Sequence, residues 1–329
     1  MVIALAALLA CAPRVGAATI LTVPVGNAGN VADTTGFGAV AYDYRIGTTE
    51  VTNAQYAEFL NSKAASDPLG LYNPNMGSNA RGGITRSGSN GSYTYAPKTN
   101  MADKPVNYVS WYDSIRFANW LNNGQGTGDT ETGAYTLLGG TPAPSNGLSI
   151  TRNAGATWFL PSEDEWYKAA YHQPAAQGGD TDDYWLYPTG SNTAPTVATA
   201  NSVGDISNPG ANVANYLSGA NWNSQNGNVT TVGSAGVSSN SFYGTADQGG
   251  NLWEYNEAVI NGSFRGLRGG AYNIGSGASD LQSSARNLSG PTVEGVNRGF
   301  RVAAIPEPSS VALMVLACLL VLSWRTGRS

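Results

Sequence analysis

The chain has 329 residues, of which 42 are glycine and 12% are charged, and its formal net charge is −5. Charged residues are about half as frequent as in ordinary soluble proteins, and 41% of the residues are hydrophobic; this composition indicates a folded, loop-rich, exported protein rather than a disordered one. The acidic balance and the lack of a lysine and arginine cluster exclude a nucleic-acid partner, because neutralising phosphates requires such clusters.

Cysteine and histidine are too scarce for several kinds of active site. The only cysteines, Cys11 and Cys318, lie in apolar terminal segments, and His172 is the only histidine. Disulfide scaffolds, zinc and non-haem iron centres and cysteine nucleophiles are therefore excluded from the region between the two segments. His172 follows EWYKAAY, so we expect it to cap the C-terminus of a helix rather than to serve a catalytic triad.

Residues 1–17 are typical of a secretory signal peptide, because an apolar core ends at the small residues VGAA. The usual positively charged start is missing, which leaves open a misassigned initiator or residues upstream of Met1. The sequence LLAC leaves open a lipobox that would lipidate Cys11, although simple cleavage is favoured.

Three segments of the middle have the apolar spacing of helices. Each begins with a capping residue: Thr52 or Asn53 in the first, Ser110 in the second, and Ser162 in the third, where Glu165 completes a capping box. The side chains that we expect to face the core are Tyr56, Phe59 and Leu60 in the first helix, and Trp111, Ile115, Ala118 and Leu121 in the second.

Short extended segments, ITRSGSNGSYTYA, ATWFLP and NRGFRVAAI, lie around these helices. Loops rich in Asn, Gly and Ser separate them, most clearly between Pro188 and Asn240. No period of 20 to 50 residues recurs, which excludes a solenoid or propeller. The pattern predicts one irregular, loop-rich α+β domain over residues 19–304, whose loops need ordering by something other than regular hydrogen-bond ladders.

Seven phrases between Tyr44 and Ala304 resemble the formylglycine-generating enzyme (sulfatase-modifying factor) family. In order they are YRIGTTEVTNAQYAEFLN, KPVNYVSWYDSIRFANWL, WFLPSEDEWYKAAY, YGTADQGGNLWEY, LRGGAY, SSARN and NRGFRVA. The resemblance implies one compact domain of a variant C-type lectin-like fold, with two packed helices and a small twisted sheet.

The end of the chain, residues 305–329, has three parts: Pro306-Glu307-Pro308, an apolar run, and a basic end. This order resembles the PEP-CTERM sorting signal of Gram-negative bacteria. The resemblance implies a transmembrane helix at about residues 309–324, an inner-membrane anchor before sorting, and processing by an exosortase. The destination would then be the cell surface or the extracellular matrix. An ordinary single-span anchor is the alternative.

The family resemblance also implies structural calcium. The family's ligand positions fall on the carboxylates or main-chain carbonyls of Asp247, Gly250, Leu252 and Glu254. Hard oxygen donors of this kind suit Ca²⁺. A second site would use Asn215 and the Tyr216 carbonyl, with further ligands near residues 223–226. The alternative for the first site is that Trp253 belongs to the core and Glu254 only accepts hydrogen bonds from nearby amides.

Active members of the family bind Cu(I) through two cysteines after a GG-[SA]-Y turn, and the metal activates oxygen to oxidise a substrate cysteine. Counted from this turn, the two positions are Ile274 and Ser279; Ala271 replaces a frequent serine, and Trp253 is the fourth altered active-site position. Isoleucine has no donor atom, and a serine hydroxyl is a hard, weak ligand for Cu(I). Iron-dependent sulfoxide synthases of the family need histidines that this sequence lacks. We therefore expect no copper, zinc or iron.

A polar stretch from Tyr272 to Gly295 remains as a candidate ligand-binding face. Side chains that could hydrogen-bond a sugar or a peptide are Asn273, Ser276, Asp280 and Gln282. For Arg286 and Arg298 we expect structural ion pairs with Glu165 or Glu254 instead.

The sequence thus favours an exported, non-catalytic binding or matrix protein whose partner is an extracellular polysaccharide or an envelope protein. The alternative is an enzyme that uses the old pocket for a cysteine-independent reaction, with Asp247, Asp280 and Glu294 as available acids or bases. Apolar surroundings at Ile274 would count against the enzyme, whereas converging carboxylates with raised pKa values would favour it.

Overall fold

A computed structural model describes residues 17–306 of the chain. The predicted signal peptide except its last residue, and the predicted sorting signal except its first two residues, lie outside the described residues. The predicted transmembrane helix at about residues 309–324 is among the parts outside. Within residues 17–306, no helix is long and apolar enough to cross a membrane.

The α-helices that the structure describes all lie before residue 172, and the strands after that residue follow one another without an α-helix between them. The helices are α1 (Asn53–Lys63), α2 (Asn75–Ser78), α3 (Trp111–Asn122) and α4 (Glu163–Tyr171). The strands are β1 (Thr22–Val25), β2 (Tyr44–Gly47), β3 (Ile84–Ser87), β4 (Thr94–Pro97), β5 (Trp158–Phe159), β6 (Thr196–Val197), β7 (Val213–Ala214), β8 (Trp253–Ile260), β9 (Phe264–Arg268), β10 (Asn287–Ser289), β11 (Arg298–Gly299) and β12 (Ala303–Ala304). The prediction of one irregular domain that mixes helices and strands is confirmed.

Two four-stranded sheets depend on the C-terminal phrase NRGFRVAA. The first sheet has the order β1-β2-β12-β5 and is antiparallel throughout, with Ala303 opposite both Ile46 and Phe159. The second has the order β10-β9-β8-β11, in which β11 runs parallel to β8. Because β11 and β12 are only a few residues apart, this phrase joins one sheet to the other. The pairs β3–β4, antiparallel, and β6–β7, parallel, lie outside these sheets.

The predicted helix starts are confirmed at Thr52, Ser110 and Ser162. Each of these side chains accepts a hydrogen bond from the main-chain N–H three residues later, and the side chain at that position bonds back to the capping residue. These reciprocal bonds satisfy N–H groups that the first turn of a helix leaves without a partner.

Helices α1 and α3 pack through aromatic rings. The ring of Phe59 on α1 lies 5.4 Å from Phe117 and 5.4 Å from Trp120, both on α3. Phe300, between β11 and β12, lies 5.5 Å from the ring of Phe117. Aromatic pairs at such distances add about 0.5–1.5 kcal/mol each beyond the burial of their area. The C-terminal phrase is thereby fixed to the helices as well as to the sheets.

The four residues of α3 that we expected to face the core are buried, and so is every other residue from Trp111 to Leu121. Residues 123–157 fold over the outer side of the helix, where Arg116 of α3 binds them. The guanidinium of Arg116 pairs with Glu131 at 2.7 Å. It also donates to the carbonyls of Thr141 and Pro142.

Asn119, also on the outer side of α3, supports the same loop. Its amide donates to the carbonyls of Thr130 at 2.8 Å and Tyr135 at 3.0 Å, and its Oδ1 accepts from the Tyr135 N–H at 2.7 Å. A polar residue in the middle of an apolar helix thus provides main-chain partners for a loop that has no strand ladder of its own.

Replacing Asn119 with leucine, which has nearly the same size, should lower the free energy of unfolding by roughly 3 kcal/mol. The carbonyls of Thr130 and Tyr135 and one main-chain N–H would then be buried without partners. Urea denaturation measures the change. Ser62→Ala is the control, because the Ser62 hydroxyl is exposed and bonds only the Glu58 carbonyl one turn earlier in α1. A loss below 1 kcal/mol for Asn119→Leu would contradict this role.

Candidate functional site

The four altered active-site positions lie where β8 and the turn after β9 meet. Trp253 begins β8 and Ala271 follows the turn, and both are buried. Ile274 is 8% exposed and packs in the main apolar core. Ser279, in contrast, is exposed on a short 3-10 turn, where its hydroxyl donates to the Ser276 carbonyl at 2.8 Å. One side chain therefore contributes to the core, and the other faces solvent.

Glycine is required at the turn that carries these positions. Gly269 and Gly270 have φ angles of +94° and +78°, in the left-handed region that side chains disfavour. A Cβ on Gly269 would lie 2.6 Å from the Gln248 carbonyl oxygen, and this leaves no room for any other residue. The turn holds Ala271 and Tyr272 beneath the surface.

The predicted ligand-binding residues lie along one surface stretch after the turn. Asn273 and Ser276 are exposed, and Asp280 and Gln282 are half-buried. Ser276 donates to the Asp280 carboxylate, and Asn273 accepts from Asn297 at 3.1 Å. Gln282 donates to the Tyr187 hydroxyl at 3.0 Å. These side chains have hydrogen-bonding partners within the protein.

The expected acidic partners of the two arginines are wrong. Arg286 pairs with Glu163 at 2.7 Å, and Arg268 reaches the same carboxylate at 2.8 Å. Arg298 forms no ion pair with any residue in the range 17–306. Glu163 is at the first position of α4, so that its carboxylate also lies where the helix dipole favours a negative charge. The sequence pattern identified the right helix but not the right acid.

Glu254 forms a buried ion pair with an arginine that the sequence analysis did not single out. Arg301 donates to both of its carboxylate oxygens at 2.7 Å, and the Trp166 indole donates to one of them at 2.8 Å. Neither Glu254 nor Arg301 is exposed. A pair desolvated to this degree tolerates loss of a partner poorly, because a buried charge would be left uncompensated.

Asp247 precedes this pair in the chain and has a left-handed conformation, with a φ of +61°. One of its carboxylate oxygens accepts from the Gly233 N–H at 2.6 Å. Burial raises the pKa of Asp247 to about 6. Gly250 must be a glycine, because a Cβ there would lie 2.3 Å from the Asn215 carbonyl oxygen. The two predicted calcium sites are therefore neighbours.

The side-chain amide oxygen of Asn215, a residue of the second predicted site, has no hydrogen-bonding partner. The side-chain NH₂ of this residue donates to Asn228, Thr230 and Asn251, but its buried Oδ1 accepts no hydrogen bond. Such an oxygen suits a hard cation, and in this respect the site fits calcium. Within residues 17–306, no three His, Cys, Asp or Glu side chains form a metal-binding group. An ion here would therefore take part of its ligands from main-chain carbonyls and water.

An arginine side chain holds the loop beside the second predicted site. Arg81 donates to the carbonyls of Asn226 and Gly227, each at 2.9 Å. Asn223 donates to the Ala80 carbonyl at 3.0 Å. These contacts fix residues 223–227, from which the sequence analysis expected further calcium ligands, against the segment before β3.

A pair of acids lies in a separate, open cavity of about 330 Å³ lined also by Leu69, Tyr72 and Pro142. Its two acids, Asp113 and Glu294, interact electrostatically, and burial raises the pKa of each above its usual value. Burial and then the charge of Glu294 raise the pKa of Asp113 to about 7. The sequence analysis named Glu294 as an available acid but missed Asp113, whose position in a capping box of α3 gave it an adequate structural role.

His172 caps the C-terminus of α4, as predicted, and its main-chain N–H donates to the Lys168 carbonyl. Its Nδ1 lies 2.7 Å from the Tyr243 hydroxyl, and the two rings are stacked. Burial, and then the charge of Lys168, lower the pKa of His172 to about 4. The imidazole is thus uncharged at neutral pH and contributes to packing.

Comparison with known proteins gives one family match. The model of the sulfatase-modifying factor enzyme 1-like domain matches residues 11–305. No curated protein matches the chain.

Solved structures resemble the chain at low sequence identity. The crystal structure of CarF has a TM-score of 0.54 and 21% identity, over 88% of this chain and 99% of that one. Treponema denticola variable protein 1 has a TM-score of 0.44 and 18% identity, over 88% and 93%. PvdO from Pseudomonas aeruginosa has a TM-score of 0.44 and 16% identity, over 88% and 92%.

Proposed function

The chain belongs to the sulfatase-modifying factor enzyme 1-like family, and from this premise we propose that it is an exported, non-catalytic binding or matrix protein. The observation that carries the proposal is the pair of residues at the family's copper positions. Ile274 lies in the apolar core, and Ser279 is exposed with only a hydroxyl to offer. Cu(I) needs soft thiolate ligands, and neither of the chain's two cysteines, Cys11 and Cys318, stands at the family's copper positions.

The export part of the proposal rests on the two ends of the sequence. An apolar N-terminus with a small-residue exit supports secretion, and the PEP motif with its apolar run and basic end supports exosortase sorting to the surface. An extracellular polysaccharide or an envelope protein is then the partner that the protein would meet. The stretch with Asn273, Ser276, Asp280 and Gln282 is the face that we assign to that partner.

The unmodified chain, incubated with Cu(I), oxygen and a Cys-x-Pro-x-Arg peptide, should yield no aldehyde above background by mass spectrometry. The double variant Ile274→Cys/Ser279→Cys should bind Cu(I) at least a hundredfold more tightly than the wild type in a competition titration, because it restores both thiolates. The matched control is Asn273→Cys/Ser279→Cys, with the same number of thiols but one of them at an exposed neighbour. Aldehyde from the wild type would refute the non-catalytic proposal.

Structural calcium is the second part of the proposal. The first site would use Asp247, Glu254 and the carbonyls of Gly250 and Leu252, and the second would use Asn215 with the Tyr216 carbonyl. The unpaired Oδ1 of Asn215 supports an oxygen-liganded ion at the second site. When bound, the ion would order loops that lack strand partners, since six to eight oxygen ligands can come from several segments.

Removing calcium with EGTA should lower the melting temperature of the chain by about 5 °C, because bound calcium at about 100 times its Kd adds roughly 2.7 kcal/mol of stability. Calorimetry measures the shift. Added CaCl₂ should restore the original temperature, and MgCl₂ should not, because Mg²⁺ demands a more rigid octahedral site. An unchanged melting temperature in EGTA would refute structural calcium.

A second candidate function is a cysteine-independent hydrolysis, and the acid pair in the 330 Å³ cavity favours it. Two carboxyl groups that share one proton can activate a water molecule, one group acting as base and the other as acid. The structural role of Asp113 in the capping box of α3 is sufficient reason for its presence, so this candidate ranks second.

The raised pKa of Asp113 has a measurable consequence for stability. Because the folded state raises the pKa of Asp113 to about 7, the pair stabilises the fold fully at low pH and loses that contribution as pH rises through about 7. Glu294→Gln removes the neighbouring charge, so unfolding free energies in urea should fall less between pH 5 and 8 than in the wild type. Asp280→Asn, at the surface stretch, should leave the wild-type slope unchanged. A Glu294→Gln slope equal to the wild type's would exclude the shared proton and the second candidate.

A further inference from the structure

A cavity of about 320 Å³ lies among three loop segments, beside the ligand-binding face assigned above. Its wall is formed by residues from 33–35, from 180–192 and from 283–284. The last of these segments directly follows Gln282, a residue of that face. Ligand pockets of proteins begin at about 300 Å³, so the cavity has room for one ring of a longer molecule.

Hydrogen bonds within the protein hold the three segments together. The Ser283 N–H donates to the Leu186 carbonyl at 2.9 Å. The carboxylate of Asp33 accepts from the hydroxyls of the two threonines that follow it and from the Tyr167 hydroxyl on α4. The wall is thus formed before a ligand arrives, and binding would require little ordering of loops.

An indole ring is part of this wall. Trp185 is half-buried, and its Nε1–H donates to the Gln173 side chain at 2.9 Å. Gly190 lies beside the indole, where a Cβ would be 4.0 Å from Nε1. The ring is therefore held in one orientation while part of its surface remains open. Such a ring packs against apolar C–H groups, and among aromatic side chains the indole attracts cations most strongly.

The polar part of the wall is anionic. No lysine or arginine lines the cavity, whereas three aspartates do: Asp33, Asp180 and Asp182. Asn192 donates to the Asp180 carboxylate at 2.5 Å, and this hydrogen bond lowers the pKa of Asp180. Asp182 is exposed, and one of its oxygens accepts from the Tyr184 N–H at 3.2 Å.

The two outer acids are the ones available to a ligand. Asp33 is buried, and three hydroxyl groups already donate to it, whereas Asp180 and Asp182 lie nearer the solvent. Arg286, two residues after the wall ends at Ser284, is paired with Glu163. The cavity therefore joins an open aromatic surface to negative charge that no side chain of its wall compensates.

We propose that this cavity binds a protonated amino-sugar unit of a polysaccharide. The sugar ring would pack on the Trp185 indole, and its ammonium group would pair with the carboxylates of Asp180 and Asp182. The inference rests on the proposed binding function and names the class of polysaccharide, one whose amino groups are charged and not acetylated. A neutral sugar would leave the outer carboxylates without a counter-charge, and an acidic sugar would be repelled.

The test is isothermal titration calorimetry of the full chain with a glucosamine hexasaccharide at pH 5.5. The wild type should bind it about tenfold more tightly than the N-acetylglucosamine hexasaccharide, which differs only in its acetylated amines. Asp182→Asn keeps the acceptor for the Tyr184 N–H but removes the charge, so it should lose most of this preference. Trp185→Ala should weaken binding of the glucosamine hexasaccharide by about tenfold.

Glu58→Gln is the matched control, because Glu58 is a half-buried acid on α1 outside this cavity. Its variant should bind as the wild type does. Asp182 is exposed, so its variant keeps the test valid if Trp185→Ala does not fold. Unchanged binding by Asp182→Asn, or equal affinity of the wild type for both hexasaccharides, would overturn the site and leave the proposed binding function standing.

Two further outcomes separate the ligand classes. Trilysine has ammonium groups but no sugar ring, so it should bind the wild type about tenfold more weakly than the glucosamine hexasaccharide. Equal binding of trilysine would overturn the assignment to a sugar. Absence of binding to either hexasaccharide would overturn the inference and leave an envelope protein as the partner in the proposed function.

Discussion

The buried ion pair between Arg301 and Glu254 connects more of the molecule than any other interaction described above. The guanidinium of Arg301 holds the carbonyls at and just after the end of β2 and the carbonyl before Asp247. Its partner Glu254 accepts from the indole of Trp166 on α4. Each of these segments would otherwise leave polar groups buried without partners. The first sheet, the β8 strand and α4 therefore share one electrostatic centre, and a change in any of them is felt there.

Elsewhere, polar side chains on helices replace the strand ladders that the loops lack. Asn119 serves residues 130–135, and Asn53 at the start of α1 donates to the carbonyls of Met101 and Lys104. An asparagine suits this task because its amide offers a donor and an acceptor to a main chain that needs both. A chain with few charged residues can order long loops in this manner without creating many buried ions.

Local patterns in the sequence were sufficient for the helices and their caps, and the family phrases for a single mixed domain. The capping boxes at Thr52, Ser110 and Ser162 depend on residues three positions apart, which are visible in one dimension. The burial of Arg116 and Asn119 was not predictable in this way, because it depends on a loop that folds back over α3. The partner predicted for Arg286 was wrong for the same reason. Glu163 and Glu165 are two residues apart, and only the packing of α4 decides which of them Arg286 reaches.

The candidate site also combines features that the sequence predicts with features that depend on packing. Counting from the GG turn identified the copper positions as Ile274 and Ser279. The absence of a thiolate there follows directly from the sequence. The pairing of Glu254 with Arg301, in contrast, depends on how Arg301 distributes its donors between this carboxylate and distant carbonyls. No spacing rule along the chain reports such a competition.

The place of β12 in the first sheet has a consequence for the timing of folding. This two-residue strand lies between β2 and β5, and Arg301 precedes it by two residues, so neither the sheet nor the central ion pair can form until the last part of the domain is available. Contacts between positions so far apart in sequence form late. During synthesis the preceding residues must therefore wait without their native partners, and the domain acquires its structure as a unit once its C-terminal segment has been made.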